Sequence, residues 1–524
     1  MGKHKDQEVE ASVAIHVRKL SVLWKGALVG LVSGLVVVAY RFALSFAEKE
    51  SMRWQSWLKG NPWLLVPALL VLAGCGVAVG ILVHRNPMIA GSGIPQVKGQ
   101  MTGRLKVHWF RTVLGKFSGG VLALLAGLSL GREGPSIQLG ASMAQGIAGK
   151  IGTSRMERRI LLASGASAGL AAAFHAPLAG VMFALEEIFK YFSPVILLST
   201  MISAVVADFV SGLFFGVSPV FHFVVDQALP LKHHAVLLVL GVLTGAAGAC
   251  YNFTLLWMQS LYARMKWLPV WARPVVPFLM AGVLGLVLPT VTGSGHRMIE
   301  LIQFDSPMKL LMMLLAMKFI FSMVSFTSGT PGGIFFPLLV MGATLGGVFS
   351  HLVIGVFGID DSLFNNFVIL AMVGLFTGIV RAPVTGVVLL VEMTGSFHQL
   401  LPLVIVAVIS FATADLLRSQ PIYDSLLENM LERYGRKVTT ADKAHTKRIL
   451  AEFVVHHGSH AENRYIRDLG LTGNCLLTTV VREGRDIIPK GNTRILAGDT
   501  LVVLCATVNE SDVRQEMEEM TTVE

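Results

Sequence analysis

Apolar residues run in long blocks along this chain, as in Ala27 to Leu44, Trp63 to Val83, Val113 to Leu130, Ala235 to Leu256, Val275 to Leu288 and Leu339 to Val356. A helix crossing a hydrocarbon core of about 30 Å needs roughly 20 such residues, because lipid satisfies none of the backbone's polar groups. Several blocks reach that length, while others are too short or too broken by glycine. The pattern therefore predicts an all-α, multispanning membrane domain over residues 21–434, in which some helices start or stop inside the membrane. Before it, residues 1–20 are polar and basic without the charge-then-apolar core of a cleaved signal, which places them in the cytoplasm. From Gly435 onward the pattern changes. AEFVVHHG, LLTTVV and TLVVLCA read as strands, and Gly-Arg-Asp and Ala-Gly-Asp read as turns between the later ones, so residues 435–524 form a small cytoplasmic α/β domain.

Composition agrees with a multispanning membrane protein, expected in the cell inner (plasma) membrane: 53% of the 524 residues are hydrophobic and only 15% are charged. With so much lipid-facing surface, the net charge of +10 reads as cationic loops that fix topology, not as a nucleic-acid footprint. Cys75, Cys250, Cys475 and Cys505 are scattered and form no C-x-x-C pair, so neither a disulfide framework nor a metal site is indicated.

The chain repeats itself. Gly91-Ser92-Gly93 returns as Gly293-Ser294-Gly295, and the frame G-x-x-x-P-x-x-x-x-G-A that starts at Gly131 returns at Gly333, both shifted by 202 residues. A-P-x-x-G-V-x-x-x-x-E runs from Ala176 to Glu186 and again from Ala382 to Glu392, shifted by 206. Three ordered matches mark an internal duplication, with halves at about 21–225 and 226–434. Lys150, Arg155, Arg158 and Arg159 follow the first frame, and Lys98, Arg104, Lys106 and Arg111 follow the first GSG. The second frame is followed by Asp360 and Asp361, with no lysine or arginine before Arg381, and after the second GSG Glu300 and Asp305 offset Arg297 and Lys309. If positive loops stay inside, the halves point in opposite directions, the architecture of secondary transporters with their site at the midplane.

The glycines and prolines of GSGIP (91–95) and GREGP (131–135) end helices within apolar surroundings. A helix that begins there aims free N–H groups and a positive dipole end inward, and such termini bind anions. Partial charges lower the dehydration cost of a halide yet let it leave, whereas a buried lysine or arginine would hold it. Ser92, and Tyr423 in QPIYDS after the last apolar run, are candidate hydroxyl donors.

GSGIP at 91, GREGP at 131, GIFFP at 333 and the late Tyr423 together resemble the CLC family of chloride channels and chloride/proton antiporters, over roughly residues 20 to 430. The resemblance implies about 18 helices in two inverted halves and a homodimer with one pathway per subunit. It also implies a chloride held by the hydroxyls of Ser92 and Tyr423, by the backbone of Gly131, Arg132, Glu133 and Gly134, and by the amides of Ile334 and Phe335. Glu133, which stands where the second frame has Phe335, resembles the family's external gating glutamate. Of the neighbours Glu186 and Glu187, Glu186 aligns with Glu392 and so suggests a shared structural role. Glu187 aligns with Met393, has no twin, and matches the family's internal proton glutamate. Eleven residues of helix past Pro177 would carry it about 16 Å toward the cytoplasm.

The expected activity is electrogenic chloride/proton antiport with no cofactor, the alternative being a passive chloride channel on the same fold. Several residues have plainer readings as well. Glu187 can pair with Lys190 at a helix end, and Arg132 can hold its loop through backbone carbonyls. His175 and Phe336 depart from residues familiar in the family; a hydrogen-bonded structural role is expected for His175, and altered pore packing for Phe336. His456, His457 and His460 fit a solvated strand end. GLSLG (127–131) and GASAG (165–169) match a hydrolase pattern but lie in helical membrane stretches, so no enzyme is expected. Gly165 and Gly169 also form a G-x-x-x-G for close helix packing. Tyr465 to Leu504, with its I-P-x-G-x-T and A-G-D-x-L pieces, resembles the C-terminal lobe of RCK/TrkA ligand-sensing domains, which implies a small-molecule ligand.

Overall fold

A computed structural model describes residues 2–190, 192–221, 223, 229–265, 267–433, 448–471, 475–482, 485–506 and 510–522. The expected boundary between the halves at 225–226 and the charged stretch after Gly435 lie outside these residues, as does Gly484 of the expected Gly-Arg-Asp turn.

The duplication is visible helix by helix. The first half contains α1 (Gly2–Gly60), α2 (Leu65–Arg85), α3 (Ile94–Met101), α4 (Trp109–Leu125), α5 (Glu133–Lys150), α6 (Arg155–Phe174), α7 (Pro177–Phe183) and α8 (Pro194–Phe215). The second contains α9 (His234–Arg264), α10 (Val275–Val287), α11 (His296–Glu300), α12 (Met308–Thr327), α13 (Phe335–Phe357), α14 (Phe364–Val380), α15 (Pro383–Thr394) and α16 (Leu400–Leu416), followed by α17 (Ile422–Arg433). Among the described residues, seven helical segments are long and apolar enough to cross a membrane. Outward-facing Phe209, Leu213, Phe253 and Val356 present apolar surface of the kind lipid covers.

Twin positions obey the same local chemistry. Gly93 (φ 99°) and Gly295 (φ 113°) take left-handed turns that start α3 and α11. Pro177 and Pro383 open α7 and α15, where a missing N–H costs nothing. Glycine also sets the closest packing. A Cβ on Gly140 of α5 would lie 2.0 Å from the Gly165 carbonyl of α6, and one on Gly169 would lie 2.2 Å from the Ser136 carbonyl. The expected G-x-x-x-G is therefore where α6 lies backbone to backbone on α5.

The shared role suggested for Glu186 and Glu392 is a reciprocal cap. Glu186 accepts from the Val384 and Thr385 amides at 3.2 and 2.7 Å at the start of α15, and Glu392 accepts from the Leu178 and Ala179 amides at 3.0 and 2.7 Å at the start of α7. Each carboxylate closes the other half's helix, where free N–H groups and the dipole favour negative charge. Glu392→Gln is expected to lower stability by about 1–3 kcal/mol, the scale of hydrogen bonds to a charged acceptor, read as thermal unfolding of detergent-solubilised protein.

The chain divides into two compact units, Met1–Leu427 and Glu428–Glu524. The second holds an antiparallel sheet in the order β1 (Arg448–Val454), β4 (Thr500–Ala506), β2 (Cys475–Arg482), β3 (Arg485–Ile487), with α18 (Glu510–Thr521) against it. Phe453, Leu477, Val480, Ile495, Leu501 and Val503 form its core with Val513 and Met517 of α18. β3 and α18 go beyond the strands and turns expected, because three residues and a strongly charged helix leave little apolar pattern to read. His457 is exposed and pairs with Glu462 at 3.0 Å, and the described residues contain no cluster suited to a metal. The Gly458 N–H, followed by His457, holds the half-buried Glu462 carboxyl below its usual range.

Candidate functional site

The two repeat frames meet backbone to backbone. The Gly131 amide donates to the Gly333 carbonyl at 2.7 Å and the Gly333 amide to the Gly131 carbonyl at 2.8 Å. This two-residue bridge brings the N-termini of α5 and α13 together, so their free amides face a common space. The GSG loop of the first half joins them. A Cβ on Gly134 would come within 2.3 Å of Ser92 Oγ, so only glycine permits that approach.

Among the described residues, the buried Ser92 and Tyr423 hydroxyls have no hydrogen-bond partner of good geometry. They lie close together, and the Tyr423 hydroxyl is within electrostatic reach of Glu133 and Glu187. Buried hydroxyls are rarely left unsatisfied, and two such groups beside free helix-terminal amides make a donor-rich pocket. The twin serine differs: Ser294 donates its hydroxyl to Glu48.

Glu133 is fully buried, and its Oε2 accepts the Phe336 amide at 3.3 Å. The carboxylate of one repeat thus occupies an amide at the helix start of the other. Ile334 and Phe335, whose amides were expected to serve, stand two and one residues before it, at the N-cap and first residue of α13. Phe336 fills an aromatic cluster, 4.4 Å from the His296 ring, 5.8 Å from Phe221 and 6.4 Å from Phe174 (centroid distances), so the departure at this position is absorbed by packing.

Two expectations need correction. Arg132 makes none of the described hydrogen bonds to loop carbonyls; its Nε lies 4.0 Å from Glu133 Oε1 and is otherwise unpartnered. The carbonyls are held instead by lysines that sequence reasoning passed over. Lys116 Nζ donates to the Ile89 and Gly91 carbonyls at 2.9 and 2.5 Å, and Lys318 Nζ to the Val291 and Gly293 carbonyls at 3.0 and 2.9 Å. Both lysines are fully buried. Each lysine thus binds the carbonyls of its GSG loop; in the second loop the amides are engaged as well, Gly293 N–H donating to the Gly127 carbonyl at 2.8 Å and Ser294 N–H to Glu48 at 3.4 Å. The signal of the two lysines was a charge inside an apolar run at the same 202-residue shift.

Glu187 is the second correction. It does not pair with Lys190; it accepts from Lys98 at 2.7 Å, and Lys190 pairs with Asp424 at 2.5 Å. Lys98 also pairs with Asp424 and is itself buried, so it does not belong to the exposed basic loops that set topology. The segment that carries Glu187 is not a uniform α-helix: Ala184–Phe189 is a π-turn, a form common at functional sites. The wider turn points Glu186 at α15 while Glu187 stays buried near α3.

His175 has the structural role expected. It ends α6 in a left-handed conformation (φ 53°), with Nδ1 3.1 Å from Asp208 and Nε2 3.1 Å from Arg41. Ser167 of GASAG lies inside α6, where a hydrolase elbow cannot form, whereas GLSLG, also expected in a helical stretch, lies in the loop between α4 and α5.

This architecture, two duplicated halves meeting at helix N-termini with a carboxylate in their amides, defines an ion-transport fold. The chain belongs to the family described as "Voltage gated chloride channel", which matches residues 75–415, and a TrkA-C domain matches residues 450–517. A protein of Vibrio vulnificus (strain YJ016) named H(+)/Cl(-) exchange transporter ClcA is 34% identical over 429 residues, covering 79% of this chain and 90% of the relative. One of the same name from Vibrio cholerae serotype O1 (strain M66-2) is 35% identical over 428 residues, with the same coverage. Among solved structures, a slow cyanobacterial Cl−/H+ antiporter superposes with a TM-score of 0.75 at 28% identity, over 79% of this chain and 99% of that one.

Proposed function

We propose that this protein is a chloride/proton antiporter in which Glu133 is the element shared by both ions. The observation that carries this reading is the Glu133 carboxylate on the Phe336 amide. A place that holds a carboxylate through backbone N–H suits a halide, and the two compete for it. Protonation removes the carboxylate's charge and with it most of that attraction, so anion entry and proton uptake become one event. Chloride is coordinated by the Ser92 and Tyr423 hydroxyls, by the amides of Ile334 and Phe335, and by the backbone from Gly131 to Gly134. The two GSG lysines act only on carbonyls, so no full cation traps the halide.

Protons reach Glu133 from the inner side through Glu187, off the line between Ser92 and Tyr423. Glu133→Gln and Glu187→Gln therefore have different consequences. No cofactor takes part. The protein works as a homodimer with both termini in the cytoplasm. The C-terminal domain binds a small ligand that regulates transport.

The test is simultaneous measurement of chloride and proton fluxes in liposomes under a chloride gradient: uphill proton movement is expected, and chloride flux alone would mean a passive channel. In the same assay, deletion of residues 440–524 is expected to leave the proton-to-chloride ratio unchanged. Loss of coupling in a truncated protein that still inserts and dimerises would make the domain part of the transport machinery.

A further inference from the structure

We propose that Lys98 is a positioning residue for proton transfer, a counter-ion shared by Glu187 and Asp424 that moves between them as Glu187 gains and loses its proton. The inference rests on the proton role of Glu187 proposed above, and it adds a residue and a direction of control.

The geometry is a chain of charges. Lys98 Nζ lies 2.7 Å from Glu187 Oε1 and also contacts Asp424 Oδ1, and Lys190 Nζ lies 2.5 Å from Asp424 Oδ2. The side chains of Lys98 and Glu187 are 6% and 3% exposed, whereas that of Asp424 is 31% exposed and that of Lys190 is 50% exposed. The cluster therefore leads from a solvated end at Lys190 and Asp424 to a buried end at Glu187. The charged groups that act on Glu187 are Lys98, Asp424 and Lys190; Glu186, its neighbour, is turned away to cap α15.

Lys98 also joins three elements that matter to chloride. It sits on α3, which the loop bearing Ser92 leads into; it pairs with Glu187 on the π-turn; and it pairs with Asp424, the residue after Tyr423 on α17. While Glu187 is ionised, Lys98 has two anionic partners. When a proton neutralises Glu187, the lysine's attraction is left to Asp424, and α3, with the Ser92 loop that precedes it, is drawn toward the helix bearing Tyr423. Proton arrival is thereby transmitted to both hydroxyls of the anion site without any direct contact between proton and halide.

The sign follows from the charges. Lys98 favours ionised Glu187, and a carboxylate beside a cation takes up its proton about one to three pH units lower than it would alone. Lys98→Met is expected to move the inner-side pH dependence of proton transport to higher pH by that amount. Asp424→Asn removes the competitor, leaves Lys98 to Glu187 alone, and is expected to move the dependence to lower pH. Lys98→Arg is expected to restore the parent profile.

The experiment measures proton flux in liposomes reconstituted with full-length protein, with pH varied on the inner side and fixed on the outer, for these three variants and Glu187→Gln. Opposite shifts for Lys98→Met and Asp424→Asn support the proposal, and a merely structural ion pair would not produce them. Unchanged profiles, or shifts of the same sign, overturn it while Glu187→Gln still abolishes proton flux. If Glu187→Gln keeps pumping protons, the underlying proton route fails and this inference falls with it. Asp424→Asn supplies the decisive sign if Lys98→Met does not fold.

Discussion

Glu133→Gln is expected to abolish proton movement while chloride continues to flow, with the chloride rate changed by less than about tenfold, or about 1.4 kcal/mol. Glutamine keeps the size of the side chain and is neutral at every pH, so it imitates the protonated gate permanently. The carboxylate that now accepts the Phe336 amide is gone, and the amide is left for the halide. Chloride flux should therefore also lose its rise toward low pH, since nothing at the gate remains to be titrated. Paired chloride-electrode and pH-electrode recordings on liposomes between acidic and neutral pH measure both effects. Persistent uphill proton transport in this variant would remove Glu133 from the proton path.

Glu187→Gln is expected to give the same loss of proton transport with a different signature. Chloride flux persists and keeps its pH response, because Glu133 still titrates at the outer end. The neighbouring change Glu186→Gln is expected to do the reverse. It weakens the cap on α15, where Glu186 accepts from the Val384 and Thr385 amides and from the Thr385 hydroxyl, so it lowers the yield of folded protein more than the coupling ratio. On the proposed reading, one residue of separation divides a proton carrier from a structural cap. The π-turn is what allows the two side chains to face different elements. Retained coupling in Glu187→Gln, with coupling lost in a well-folded Glu186→Gln, would reverse the assignment.

Much of this was legible in the sequence because it rests on local chemistry. Gly93, Gly295, Pro177 and Pro383 announce helix starts wherever they occur, and the duplication repeats the glycines at a shift of 202 residues and the prolines at a shift of 206. The latter shift separated Glu186, which has a twin, from Glu187, which has none. What stayed hidden depends on contacts between distant parts of the chain. Lys98 looked like one more basic loop residue, yet its partners lie at Glu187 and Asp424, far along the chain. Lys116 and Lys318 were visible as charges in apolar runs, but their purpose appears only when the carbonyls they bind are seen to belong to the GSG loops. Arg132 misled in the opposite sense: its place in GREGP suggested a hold on the loop, and the described contacts put its Nε nearest to Glu133 instead.

The central claim is that chloride and protons move in exchange through one gate, and the reversal potential of the purified protein in a planar bilayer tests it most directly. With chloride and pH gradients imposed separately, exchange predicts a reversal potential that falls short of the chloride equilibrium potential under a chloride gradient alone, and that shifts when only the pH gradient is changed. A reversal potential equal to the chloride equilibrium potential and indifferent to the pH gradient would contradict the account and leave a passive chloride pathway.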